Sequence, residues 1–274
     1  MTKTSEIDYV LGTNDEEIIR LGLQHRIWKS IVLECWRQAG ITEGSRVLDV
    51  GAGPGYATLD LADMVGTTGE IVALERSKRF VEFGQAACRS RGLKQVRWVE
   101  MDLMNDPIPA KEMDATWCRW VASFVTSPDA LVGKLAQALK PGGVAVFHEY
   151  IDYSTWQLTP RGPMLDQFVE KVMASWRANG GEPDIARVLP ALLGQHGCKI
   201  LSTAPRIFCA RPGDPVWQWP ASFININSRR LLEMKLVDEA WVAALQKEFA
   251  AAESNPDTLI LTPLVLEIIA EKRR

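Results

Sequence analysis

Histidine and cysteine are scarce in this chain, and their scarcity removes whole classes of chemistry at once. There are three histidines and five cysteines in 274 residues, and Cys35, Cys88, Cys118, Cys198 and Cys209 form no C-x-x-C pair. Neither a zinc site nor a disulfide framework is supported, so reduced, buried thiols and no resident metal are expected. Also missing is any apolar run close to the roughly 18 residues that a membrane-spanning helix requires. Nor does the chain open on a signal-peptide succession of charged, apolar and small residues. A soluble, cytoplasmic protein with no membrane partner is expected. Basic residues do not dominate: 31 Lys and Arg against 34 Asp and Glu leave a net charge of −3. The cations are scattered rather than gathered into the stripe that neutralises phosphates, which disfavours nucleic acid. A small-molecule substrate is favoured, handled by a monomer or a homodimer.

Apolar bulk, by contrast, is plentiful at 47% of residues. That suffices for one generous domain or a domain with an elaborate cap. The most organised stretch is Val47-Leu48-Asp49-Val50-Gly51-Ala52-Gly53-Pro54-Gly55-Tyr56. A β-branched run from Arg46 to Val50 stops at three glycines in five positions, and the amphipathic segment Tyr56 to Val65 follows at once. This is a strand, a tight turn and a helix. Glycine accepts positive φ without steric cost and lets a ligand lie against the backbone. The helix N-terminus behind the turn favours a carboxylate or phosphate, so a nucleotide-like ligand is expected. A dinucleotide fits poorly. The third glycine of G-x-G-x-x-G allows close helix–strand packing, but that position is Tyr56, and Pro54 removes a donor from the loop.

The pattern D-x-G-x-G-x-G after a hydrophobic strand, Asp49 to Gly55, resembles motif I of the class I S-adenosylmethionine (SAM) methyltransferases. Further stretches fall in the family's order. Ile71 to Glu75 is a second strand ending in an acid, and Val96 to Met101 is a third, followed by Asp102-Leu103. Asp114 to Trp120 is a fourth, and Leu139-Lys140-Pro141-Gly142-Gly143 leads into a fifth, Val144 to Tyr150. The resemblance covers residues 5–150 well and the rest in outline. It implies that Glu75 accepts both ribose hydroxyls and that Asp102 and Leu103 meet the adenine. It also implies that Asp49, Gly51, Ala52, Gly53, Tyr56, Arg76, Arg119 and Trp120 belong to the cofactor site. The cofactor would be SAM and the product S-adenosylhomocysteine.

Taken in order, the chain begins with a helix from Asn14 to Ala39, capped by Asn14 with Glu17 three residues on and stopped at Gly40. In small-molecule members of the family a stretch comparable to Tyr9-Val10-Leu11-Gly12, with a following E-x-x-R-L-x-x-Q-like helix, closes over the cofactor. Here Glu17, Arg20, Leu21 and Gln24 match, implying a lid over residues 1–44 that includes Tyr9, Gly12 and Gln24. From 56 to 150, helices at 56–65, 77–91 and 127–140 alternate with strands at 70–75, 96–101, 114–120 and 143–150. Such alternation specifies an α/β, doubly wound, parallel sheet with helices on both faces. Ligands bind beyond the carboxyl ends of its strands, where Asp49, Glu75, Asp102, Arg119 and His148 all fall. Residues 45–150 would be the SAM-binding core. In 151–274, helices at 160–179 and 184–196 precede strands at 200–209 and 258–270, which would complete the family's mostly parallel, seven-stranded sheet. Helical cap insertions are expected at about 155–197 and 211–257.

Ten tryptophans are many for this length. Aromatic side chains wall small-molecule pockets, so Trp120, Tyr150, Trp156, Trp176, Trp217 and Trp219 are substrate-pocket candidates, with core anchoring as the alternative. A methyl on a sulfonium is already activated, which leaves the protein to supply alignment, dryness and sometimes a base. His148 and Glu149, ending the fifth strand, are candidates for that base; solvated or capping roles are expected of His25 and His196. The fourth strand ends Trp117-Cys118-Arg119-Trp120, not in an N/D-P-P-Y/F box, and no Pro-Cys pair occurs, which disfavours DNA and protein-amide acceptors. The expected reaction is methyl transfer to O, N or C of a small molecule, aromatic ones included. Two alternatives stand beside it: a SAM-binding protein of the same fold doing another group transfer or cyclisation, and a nicotinamide-dependent oxidoreductase.

Overall fold

The computed structural model describes residues 13–274, so Tyr9 and Gly12, named above for the lid, lie outside the described residues. A first helix, α1 (Asp15–Gln38), precedes five strands: β1 (Arg46–Val50), β2 (Glu70–Glu75), β3 (Val96–Glu100), β4 (Met113–Arg119) and β5 (Leu139–Asp152). These pair in parallel in the order β3-β2-β1-β4-β5. Parallel neighbours need long crossovers, and α2 (Tyr56–Val65), α3 (Lys78–Arg91) and α4 (Pro128–Ala138) supply three of them. Order reverses at β1, whose successor β2 lies on one side and β4 on the other, and this opens a crevice at the carboxyl ends of β1 and β4.

The remainder is α5 (Pro163–Ala178), α6 (Leu189–Gln195), α7 (Gln218–Glu233) and α8 (Glu239–Ser254), with strands β6 (Gln157–Thr159), β7 (Cys198–Arg206), β8 (Cys209–Ala210), β9 (Leu259–Leu261) and β10 (Leu264–Lys272). Antiparallel β10 inserts between β5 and β7 to complete a seven-stranded, mostly parallel sheet among the described residues. Both stretches expected as single final strands are divided. Residues 200–209 leave the main sheet at Arg206, 258–270 joins it only at Leu264, and the freed pieces β8 and β9 pair with each other, β9 pairing also with β6, in a small second sheet. Pro263 is the cause, since it has no N–H for a ladder. Around it the corner is tied by Phe208 N donating to Thr262 Oγ1 at 3.0 Å and Leu264 N donating to Thr155 Oγ1 at 2.8 Å. The helix expected at 184–196 is a 3₁₀ turn, Ile185–Arg187, followed by α6 with Pro190 in its first turn.

Alternating strand residues feed two cores. Leu48, Val72, Phe147 and Ile268 face α4 and α6, while Trp117, Val146 and Ile269 face α1 and the aromatic side chains of α5 and α7. On that second face α1 is fixed by Trp28, which is 0% exposed. It meets Trp120, Phe208 and Trp219 edge-on at centroid distances of 5.4, 5.0 and 5.2 Å. Gly22 brings the helix onto α2, because a Cβ there would stand 2.8 Å from the Tyr56 ring. Replacing a buried tryptophan by alanine removes its transfer free energy and leaves a void. Trp28→Ala should therefore lower stability by about 3–5 kcal/mol, read as a fall in the urea midpoint at constant slope.

Candidate active site

A cleft of about 1040 Å³ opens at the carboxyl ends of β1, β2 and β4, under α1. The glycine loop forms its floor. Gly51 has φ 64°, and a Cβ there would come within 2.4 Å of Val121. Gly53 has φ 57° and faces open space, with nothing within 4 Å of an added Cβ, so this side of the backbone is open to a ligand. Glu75 at the end of β2 braces the loop: one carboxylate oxygen accepts from Gly53 N and the other from Ser77 N, both at 2.8 Å. Burial nevertheless raises its pKa. Asp49 accepts the Thr58 hydroxyl proton at 2.6 Å and is pushed up to about 6 by burial. Ala52, Tyr56, Arg76, Asp102 and Leu103 also line the cleft. Asp102 Oδ1 accepts from Met104 N at 2.8 Å and shapes the rim turn.

The roof comes from α1, which contributes Arg20, Leu21, Gln24 and His25. Arg20 pairs with buried Glu17 at 2.7 Å, and Gln24 Oε1 accepts from Arg20 at 2.9 Å and from Trp219 Nε1 at 3.0 Å, which couples the roof to α7. Arg119, at the end of β4, lies against Trp117 and Trp120 at 5.7 and 5.0 Å. Its Nη2 donates to His25 Nδ1 at 3.0 Å, while Nη1 is buried and has no partner among the described residues. Beyond Arg119 the wall is aromatic: Trp120, Phe124, Tyr150, Trp176 and Phe223. Trp120 stacks on Tyr150 at 5.7 Å and 21°. It holds a left-handed φ of 53°, a strained conformation for a bulky residue.

The cleft thus gathers Gln24, Asp49, Gly51, Ala52, Gly53, Tyr56, Glu75, Arg76, Asp102, Leu103, Arg119, Trp120, Tyr150 and Trp176. Five expected residues lie elsewhere. Trp217 stacks on Phe249 at 5.4 Å, Trp156 packs against Tyr153, Phe168 and Phe223, and Trp219 stands behind Trp120. The two base candidates are consumed by structure. His148 is fully buried between Trp28 and Trp117, and its Nε2 is 2.9 Å from Glu267 Oε2. Glu149 points to the opposite side of the sheet, where it accepts from Val121 N, Ala122 N and Ser123 Oγ at 2.7, 2.8 and 2.8 Å. His25, by contrast, lines the cleft instead of being solvated. Its place four residues after Leu21 put it on the roof face, a signal available in the spacing. Phe124 and Phe223 carry no motif, and only the folded chain brings them to the wall.

Residues 47–143 match a family model described as a methyltransferase domain. Over that segment the chain is similar to the class I SAM-dependent methyltransferases. The chain is 27% identical over 145 residues to the ubiquinone/menaquinone biosynthesis C-methyltransferase UbiE of Erwinia tasmaniensis, covering 53% of the chain and 55% of that relative. The chain therefore spans about half the length of the curated relatives it matches. Its fold is shared with the [4+2]-cyclase SpnF, at TM-score 0.56, 20% identity and coverage of 89% and 81% of the two chains. It is shared too with a phosphoethanolamine N-methyltransferase 2 of Haemonchus contortus in complex with phosphomonomethylethanolamine and S-adenosylhomocysteine. There the TM-score is 0.56 and the identity 14%, over 90% of this chain and 53% of that one.

A structural role for Glu149 in this protein has a pH signature. Burial pushes its carboxyl up to about 7 from 4.5. The folded state thus holds the proton more tightly, and the resulting stabilisation is full below the unfolded value and lost as pH rises through about 7. Glu149→Gln keeps an acceptor for the two backbone N–H groups and cannot ionise, so its stability relative to the parent should rise from about pH 5 to about pH 8 in urea unfolding. Glu149→Ala strands those donors and should cost about 3 kcal/mol or more at neutral pH.

Proposed function

We propose that this chain transfers the methyl group of SAM to O, N or C of a small, flat, apolar acceptor such as an aromatic ring. The observation that carries the reading is one continuous cleft with an acid-braced glycine loop at one side and an aromatic wall at the other. The residues present fit the cofactor. The open face of Gly53 admits a ligand against the backbone, and the carboxylate of Glu75 stands at the end of β2, where ribose hydroxyls would donate to it. Asp102 and Leu103 lie beyond it toward β3 for the adenine. Bound there, SAM supplies a methyl group whose sulfonium is its own activated leaving group.

What remains for the protein is placement and dryness. Among the described residues, the carboxylates lining the cleft are Asp49, Glu75 and Asp102, all on the loop side, so the aromatic side presents apolar ring surface to an acceptor. Trp176 and Phe223 reach it from α5 and α7, which makes those helices the cap that excludes water and selects shape. With neither His148 nor Glu149 facing the cleft, alignment carries the reaction, and an acceptor that ionises readily or is already nucleophilic suits it best.

Calorimetry with S-adenosylhomocysteine and mass spectrometry after incubation with SAM and a panel of phenols, hydroquinones and aryl amines test the reading. Binding together with a product heavier by one methylene is the expected outcome. Binding with no such product from any acceptor would favour another use of the cofactor, and no binding would end the reading. Glu75→Ala removes two charge-assisted hydrogen bonds, so the affinity for S-adenosylhomocysteine should fall by about 30- to 150-fold, or about 2–3 kcal/mol.

A further inference from the structure

Asp60 on α2, His25 on α1 and Arg119 at the end of β4 form a line that ends in the cleft wall. Asp60 Oδ2 lies 2.9 Å from His25 Nε2, and Arg119 Nη2 lies 3.0 Å from His25 Nδ1. A guanidinium can only donate. Nδ1 must therefore accept, the ring proton must sit on Nε2, and that N–H donates to the Asp60 carboxylate. The imidazole is neutral and its tautomer is fixed from both sides. Asp60 is itself held by Lys29 Nζ at 2.8 Å, and the Tyr56 ring stacks beside His25 at 6.3 Å.

Arg119, the group so held, is incompletely satisfied. Among the described residues its Nη1 is buried without a partner and it makes no ion pair. Desolvation lowers its pKa to about 10, and a cation taken out of water is costly until an anion meets it. A neutral imidazole orients the guanidinium without quenching its charge, leaving it able to receive a carboxylate from the cleft.

Sheet order says which end of a ligand would provide that carboxylate. Glu75 and Asp102 stand at the β2 and β3 side, the glycine loop follows β1, and Arg119 ends β4. A ligand with its ribose at Glu75 and its adenine toward β3 extends past the loop toward β4 with its amino-acid end. The only anionic group of SAM is the carboxylate at that end. We propose, on the cofactor reading above, that His25, its tautomer fixed by Asp60, is a positioning residue that aims Arg119 at the methionine carboxylate of SAM.

Two probes separate this role from general support of the fold: S-adenosylhomocysteine, which carries the carboxylate, and 5′-methylthioadenosine, which lacks the amino-acid end. In calorimetry His25→Leu should weaken S-adenosylhomocysteine by roughly 10- to 30-fold, the loss of one charge-assisted contact, and leave 5′-methylthioadenosine within about twofold. His25→Asn keeps an acceptor on the atom after Cγ and should recover most of the loss. Should His25→Leu fail to fold, Asp60→Asn carries the test, with S-adenosylhomocysteine weakened about threefold or more and 5′-methylthioadenosine unchanged. Equal losses for both probes, no loss for either, or no recovery in His25→Asn would overturn the positioning role while leaving the cofactor reading standing. A parent protein that binds neither probe would overturn both.

Discussion

The edge-on packing of Trp28 against three aromatic rings decides where everything else can stand. Those rings belong to different parts of the chain: Trp120 to the segment leaving β4, Phe208 to the turn after β7, and Trp219 to α7. One side chain of α1 thus joins the start of the chain to its middle and its last third. Aromatic pairs prefer this edge-to-face geometry and add to the apolar area they bury. With α1 fixed across the carboxyl ends of β1 and β4, the crevice created by the reversal of strand order acquires a roof. Without that roof, Arg20, Gln24 and His25 would face water and the cleft would be a shallow groove.

Burial beneath the roof divides the ionisable groups into two kinds. Glu149 is met by three donors and Glu267 by an imidazole and a guanidinium, with Arg206 Nη2 at 3.0 Å. Such groups are paired within the protein and have little capacity left for a ligand. Cys35, His148 and Glu267 bring their polar atoms within 4.8 Å of one another, but the carboxylate is already shared between its two cationic or N–H partners. This cluster ties α1, β5, β10 and β7 together. Glu75, Asp49 and Arg119 are of the other kind, sitting where the cleft reaches them and retaining lone pairs or protons to offer. The distinction lies in the completeness of hydrogen bonding, since both kinds are deeply buried.

Much of the core was legible from residue pattern. The turn after β1, the acid ending β2 and the alternation of strands and helices to residue 150 depend on local chemistry: glycine conformations, period-two runs and capping residues. They appear in the structure within one or two residues at most boundaries, β5 extending further at both ends. Beyond residue 150, legibility fails for physical reasons. Apolar residues from Leu259 to Ala270 read as one strand, because a run gives no notice that Thr262 and Pro263 will turn a corner between two sheets. Tryptophans at helical spacing read alike whether they line a cleft or fill a core. Trp176 does the first and Trp217 the second, and only the partners brought by folding, Phe124 in one case and Phe249 in the other, tell them apart. His148 misled for a related reason. A strand's carboxyl end lies near the ligand, but its side chains alternate between faces, and Glu267 on the neighbouring antiparallel strand had already claimed the imidazole.

Trp120 shows how the strained and the satisfied parts of the site depend on each other. Its left-handed backbone costs free energy of order 1–3 kcal/mol, which must be offset by contacts available only in that conformation. Three are present: its N–H donates to His148 O at 3.0 Å, its ring stacks on Tyr150, and its face receives the Arg119 guanidinium. The first is made by a backbone carbonyl that the pairing of β5 with β4 and β10 places, and the last by the guanidinium that donates to His25. The β5 backbone and the roof residue His25 therefore help to set the orientation of the ring that lies between the cleft's cation and its aromatic wall. On the reading proposed above, in which alignment carries the reaction, such support is where the protein's contribution to rate would be concentrated.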